Sequence, residues 1–127
     1  MPDPCDVKST NAYGEDKKLM TGASPLAMVA MLEGMGVDAV GVNCSLGPKA
    51  LFDVVSEYLE SASVPVILKP NAGLPKSVDG VTVYDVLPKE FASDVAELIK
   101  KGVRIAGGCC GTTPDYIKEL VSDTKNL

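Results

Sequence analysis

The chain has 127 residues, enough for one ordinary domain, and its 46% hydrophobic and 23% charged residues exclude wholesale disorder, collagen and low complexity. A net charge of −5 argues against broad binding to nucleic acid or to an anionic membrane. No apolar run reaches the ~18 residues of a membrane span, no secretory pattern opens the chain, and the lack of histidine removes Ser-His-Asp and Cys-His pairs and histidine-based zinc motifs.

In chain order, residues 1–20 read as irregular, with a polar, turn-rich stretch at Asn11-Ala-Tyr-Gly-Glu-Asp-Lys-Lys18. Ser24-Pro25 starts a helix, Ser as N-cap and Pro at the first helical position, that runs to about Met35 and stops at Gly36. Ala39–Asn43 is a short strand with Cys44 at its C-terminal end. Gly47-Pro48 opens a second helix whose Leu51, Val54, Val55, Tyr58, Leu59 and Ala62 form one buried stripe. Val64–Leu68 is a continuous apolar run, as expected of a strand covered on both faces. The long loop after it carries Asn71, and Asp79-Gly80 predicts a small hairpin. A third helix spans about Pro88 to Lys101 and ends at Gly102. Val103–Ala106 is a third strand, leading into Gly107-Gly-Cys-Cys-Gly111. Thr113-Pro114 caps a last helix with Ile117, Leu120 and Val121 inward.

The order αβαβαβα at this spacing means βα units on a parallel sheet in one α/β domain. Cys44, Asn71, Cys109 and Cys110 all follow strand C-termini, the edge on which such folds build their sites. Without a secretory signal a reducing, cytoplasmic setting is expected, where cysteines serve more often as metal ligands or catalytic groups than as disulfides. A bond between neighbouring Cys109 and Cys110 would strain the peptide link. Three thiolates from two strand ends can bind one tetrahedral zinc and leave a fourth position open, as catalytic zinc sites do. The competing reading makes Cys44 a small buried hydrophobe and the pair incidental.

Three stretches carry a resemblance: Gly41-Val-Asn-Cys-Ser-Leu-Gly-Pro48, Pro70-Asn-Ala-Gly-Leu-Pro75 and Gly107-Gly-Cys-Cys-Gly-Thr-Thr-Pro114. In order and content they resemble the three late motifs of the homocysteine S-methyltransferase family, and the second is most like that of its cobalamin-dependent branch. The likeness runs from about Leu19 to Val121. It implies a (β/α)8 TIM barrel, present here as its C-terminal half, since a complete barrel takes about 250 residues. Residues 1–127 then form a partial homocysteine-binding domain. The resemblance also implies Zn2+ on Cys44, Cys109 and Cys110, and places Asn71 at the metal end of the barrel as a substrate-binding or metal-contacting residue. The alternative for Asn71 is loop geometry, as Asn before Ala-Gly is a common turn residue. Cys5 matches no motif of the family. The acidic residues that hold the amino acid end of homocysteine have no counterpart, because Glu33 and Asp38 lie at the wrong ends of their elements.

The chemistry so implied is transfer of a methyl group to the sulfur of homocysteine, giving methionine, with zinc keeping the substrate thiol nucleophilic and no side-chain base required. The methyl donor implied is methylcobalamin, on another domain or chain that also carries the folate chemistry. The partners expected are the missing barrel half or a second copy of the chain. Two other readings stand beside this one: a structural zinc module in which Cys5 closes the site as a fourth thiolate, and a thiol redox protein using Cys109 and Cys110. The second lacks the Cys-x-x-Cys motif.

Overall fold

Four parallel strands make the sheet in this computed structural model, which describes residues 6–127. Their order is β1 (Lys8–Asn11), β2 (Ala39–Cys44), β3 (Val66–Pro70) and β6 (Ile105–Ala106). Helices α1 (Pro25–Gly34), α2 (Phe52–Ser61), α3 (Pro88–Lys101) and α4 (Pro114–Thr124) follow the four strands in turn. Strands β4 (Pro75–Val78) and β5 (Val81–Tyr84) form a separate antiparallel hairpin between β3 and α3, turning at Asp79 and Gly80, which both have positive φ. The repeat is therefore four βα units, half of a (β/α)8 barrel.

The core lies between the sheet and its helices. Val40 and Val42 of β2 and Val66 and Leu68 of β3 face Val29, Val54, Val55, Phe91, Val95 and Leu98 from the helices, all nearly inaccessible. The stripe read in α2 is real: Leu51, Val54, Val55 and Tyr58 are buried, and Leu59 and Ala62 pack against the core. The helix itself begins later than expected, at Phe52, because 48–51 form a turn in which Leu51 N–H donates to the Gly47 carbonyl. Ser24 caps α1, its hydroxyl accepting from Ala27 N–H, with Pro25 in the first turn. Pro114 likewise opens α4, but Thr113 makes no side-chain capping bond.

The strands alternate faces, so Ala39, Gly41 and Asn43 of β2, and Ile67 and Lys69 of β3, point away from the helices to the side that lines the interior of a closed barrel. Gly41 is required there: a Cβ at this position would overlap the Ile67 main chain.

Two of the expected strands also differ in their bounds. β3 starts and ends two residues later, because its register runs from Val40↔Val66 to Cys44↔Pro70 and brings Lys69 and Pro70 into the strand. β6 is only two residues long, pairing Ile67↔Ile105 and Leu68↔Ala106. The larger correction is β1. The stretch expected to be irregular contains a fourth strand, which pairs in parallel with β2 from Lys8↔Ala39 to Asn11↔Val42. Its sequence Lys-Ser-Thr-Asn has no apolar run to announce it; the pairing is made by β2, not by local preference.

Candidate metal centre

Three loops meet at the C-terminal edge of the sheet. The chain leaves β2 through Cys44 (φ 52°) and Ser45 (φ 68°), both in the left-handed region that non-glycine residues rarely adopt. Two such residues in succession cost about 1–2 kcal/mol each. They reverse the chain sharply and put the Cys44 sulfur over the sheet edge. The turn is held from below. Tyr13, just after β1, donates its N–H to Ser45 Oγ at 2.7 Å, and Ser45 Oγ donates to the Asn43 carbonyl at 2.9 Å. The Tyr13 ring is buried edge-on against Tyr58 of α2, with centroids 5.9 Å apart, and the two hydroxyls share a hydrogen bond. Burial and that bond push the Tyr13 phenol well above its usual range, so it stays neutral and hydrogen-bonding at any working pH.

The loop after β6 is laced to the loop after β3. Cys109 N–H donates to the Pro70 carbonyl, Ala72 N–H to the Cys110 carbonyl, and Cys110 N–H to Asn71 Oδ1 at 3.1 Å. Asn71 N–H in turn donates to the Leu46 carbonyl in the Cys44 loop. Asn71 is 7% exposed and is the buried polar side chain among the described residues. It thus ties all three loops together. The Cys109 carbonyl accepts from both the backbone and the hydroxyl of Thr112, which closes the turn. Gly111 has φ 81°, and a Cβ there would overlap the ring of Tyr84 from the hairpin, so this glycine is fixed by conformation and by contact.

Cys44, Cys109 and Cys110 come together as a group whose three sulfurs all lie within 4.8 Å of one another. Cys110 Sγ is 3.8 Å from Cys44 Sγ and 4.0 Å from Cys109 Sγ. Cys44 and Cys109 are joined as a disulfide across 65 residues, with Cα atoms 5.3 Å apart, and Cys110 is free and exposed. The bond judged awkward, Cys109 to Cys110, is not the one formed. A disulfide between two of the three sulfurs and a shared metal ion on all three exclude each other, since the metal needs thiolates. Cys5 lies outside the described residues.

Reasoning from sequence missed Tyr13, Ser45 and Tyr84, which brace the cysteines from elsewhere in the fold; Tyr13 was one aromatic in a polar stretch. The two acidic residues set aside are structural. Glu33 Oε1 accepts from Ser63 N–H, Ser63 Oγ and Val64 N–H, and Asp38 Oδ2 accepts from Val7 N–H, all at the opposite end of the sheet.

A half-barrel of parallel βα units with a glycine-framed cysteine cluster at its C-terminal edge defines a class of thiol- or metal-centred barrel proteins. Within that class the chain belongs to the homocysteine S-methyltransferase family, whose model matches residues 5–124. It is 37% identical over 105 residues to the methionine synthase of Mycobacterium leprae, covering 82% of this chain and 9% of that protein. To the methionine synthase of Mycobacterium tuberculosis it is 36% identical over 110 residues, covering 86% and 9%. The chain therefore spans about a tenth of the length of these relatives. Among solved structures it superposes on the Escherichia coli homocysteine methyltransferase MmuM at 23% identity. The TM-score is 0.67 for the oxidised form, over 90% of this chain and 34% of that one, and 0.64 for the apo form, over 91% and 37%. That likeness carries the fold: a partial (β/α)8 barrel.

Proposed function

We propose that Cys44, Cys109 and Cys110 hold one zinc ion and that residues 1–127 are the metal-bearing part of a homocysteine-binding domain. The activity is that of a methionine synthase, methylating homocysteine to methionine. The observation that carries this reading is the convergence of three thiols from two separate strand ends in a family defined by homocysteine methylation. Zinc–thiolate bonds of ~2.3 Å put the sulfurs of a tetrahedral site ~3.8 Å apart. Cys110 stands 3.8 and 4.0 Å from its two neighbours, so the donor set fits zinc once Cys44 and Cys109 are reduced. Three soft anionic ligands also favour zinc over magnesium or calcium.

Bound there, zinc supplies the positive charge that keeps an incoming thiol in its nucleophilic thiolate form. The chain's own residues do the positioning. The left-handed turn at Cys44 and the Asn71 bond to Cys110 N–H fix two ligand directions before any metal arrives. Asn71 Oδ1 is engaged by Cys110, which leaves its amide N–H groups for the substrate-binding role. No histidine or other side-chain base takes part. Methylcobalamin on another domain or chain is the methyl donor, and the cytoplasm, where thiols stay reduced, is the setting. The test is metal content after reduction: one zinc per chain, abolished or strongly weakened in Cys44→Ala, Cys109→Ala and Cys110→Ala. Full stoichiometry with unchanged affinity in Cys44→Ala contradicts the reading. Cys5→Ala separates it from a closed structural site, which would lose its fourth ligand.

A further inference from the structure

Lys69 stands apart from the other charged residues of the sheet. It lies in β3 between Leu68 and Pro70, which are both buried, yet it is exposed. Leu68 belongs to the core under the helices, so strand alternation sends Lys69 to the barrel-facing side. It pairs in register with Asn43, the residue before Cys44, and its Cγ lies 3.5 Å from the Cβ direction of Gly107, two residues before Cys109. The lysine stem therefore lies alongside Gly107 at van der Waals distance, one position before Cys44 on one flanking strand and two before Cys109 on the other. Among the described residues the ion pairs join Lys8 to Asp6, Lys17 to Asp53, Lys76 to Asp85 and Lys100 to Glu97, and Lys69 enters none of them. The other lysine of that face, Lys8, sits at the far end of its strand.

Resting on the zinc–thiol reading above, we propose that Lys69 is a specificity residue: its ammonium group binds the carboxylate of a thiol substrate whose sulfur sits at the cysteine cluster. A cation on the inner face, one position before Cys44 in register, is placed for an anionic group a few carbons from a thiol bound at the cluster. It disfavours amines and gives neutral thiols nothing. Homocysteine has three carbons between its sulfur and its carboxylate carbon and fits this description. Recognition of the amino group still needs acidic residues outside this set.

The test is calorimetric titration of the reduced, zinc-loaded chain with 4-mercaptobutyrate and with its neutral counterpart 4-mercapto-1-butanol. The carboxylate thiol should bind about fivefold tighter, in line with a partly exposed ion pair, and the preference should shrink as salt is raised. Lys69→Gln should erase the preference without moving the affinity for the alcohol, and Lys69→Arg should keep most of it. Equal binding of the two thiols by the wild-type chain, or a preference that survives Lys69→Gln, overturns the proposal while leaving the zinc–thiol reading intact. Failure of both thiols to bind overturns both.

Discussion

At the scale of single residues, the cysteine cluster depends on neighbours that are not ligands. Gly111 combines positive φ with contact against the Tyr84 ring. Gly111→Ala should cost at least the ~1–2 kcal/mol of a left-handed non-glycine residue, and should displace Cys110. Thermal melting together with zinc affinity checks this: both should fall, whereas a surface change such as Lys125→Ala should move neither. Asn71→Ala removes the acceptor for Cys110 N–H. Its expected signature is a loss of about 1 kcal/mol of stability with weaker zinc binding, read by denaturant titration and chelator competition. Because Cys44 and Cys109 are bonded to each other, metal uptake should also depend on reduction. Zinc content near one per chain with a strong reductant, and well below that without it, is the expected result.

At the scale of elements, one buried contact holds the site to the scaffold. The Tyr13–Tyr58 pair ties the chain after β1 to α2 and, through Tyr13 N–H, to the Cys44 turn. Tyr58→Phe leaves the Tyr13 hydroxyl without its buried partner and should cost ~1–3 kcal/mol, measured as a shift in the denaturant midpoint. Glu33 does comparable work at the other end, joining the C-terminal part of α1 to the start of β3. Its bonds from Ser63, then from Val64, hold its carboxyl below the usual glutamate range. A carboxyl lowered in the folded state contributes stability that is fully present above its unfolded value and is lost as pH falls through the lowered one. Glu33→Gln should therefore melt earlier than wild type at neutral pH, and the gap should close in acid.

The first three helices and β2 were legible because burial writes itself into the sequence as period and apolar run: the α2 stripe, the Ser24-Pro25 start, and the glycines at helix ends. In α4 the inward face was misread, since Ile117 and Val121 are exposed and Tyr116 and Leu120 are the buried residues. The edge that carries Cys44, Asn71, Cys109 and Cys110 was legible for the same reason, since each follows a recognisable strand. β1 was not, because a four-residue polar strand at a sheet edge owes its conformation to the register offered by β2. The Tyr13–Ser45 brace was hidden too. It joins residues 32 apart in sequence, and no local pattern records such a pairing.

At the scale of the whole molecule, four strands leave two unpaired edges, β1 and β6, and a barrel-facing side whose Ile105 is partly open. Leu26 and Met31 of helix α1 and Met35 at its C-cap are also well exposed. Open parallel edges beside exposed apolar surface invite association. Sedimentation should show a dimer or larger species, or a one-to-one complex when the front half of a related barrel is supplied. A compact monomer with no binding of an apolar-sensing dye would contradict this. No described helix is long and apolar enough to cross a membrane.

Zinc-edge X-ray absorption on the reduced, zinc-loaded chain tests the metal assignment most directly, because it counts sulfur ligands at the ion. The expected spectrum shows three sulfurs and one lighter atom in the free chain, and four sulfurs after homocysteine is added. A site with four sulfurs before any thiol is added, or one whose sulfur count does not rise with homocysteine, would contradict an open three-cysteine centre built from Cys44, Cys109 and Cys110.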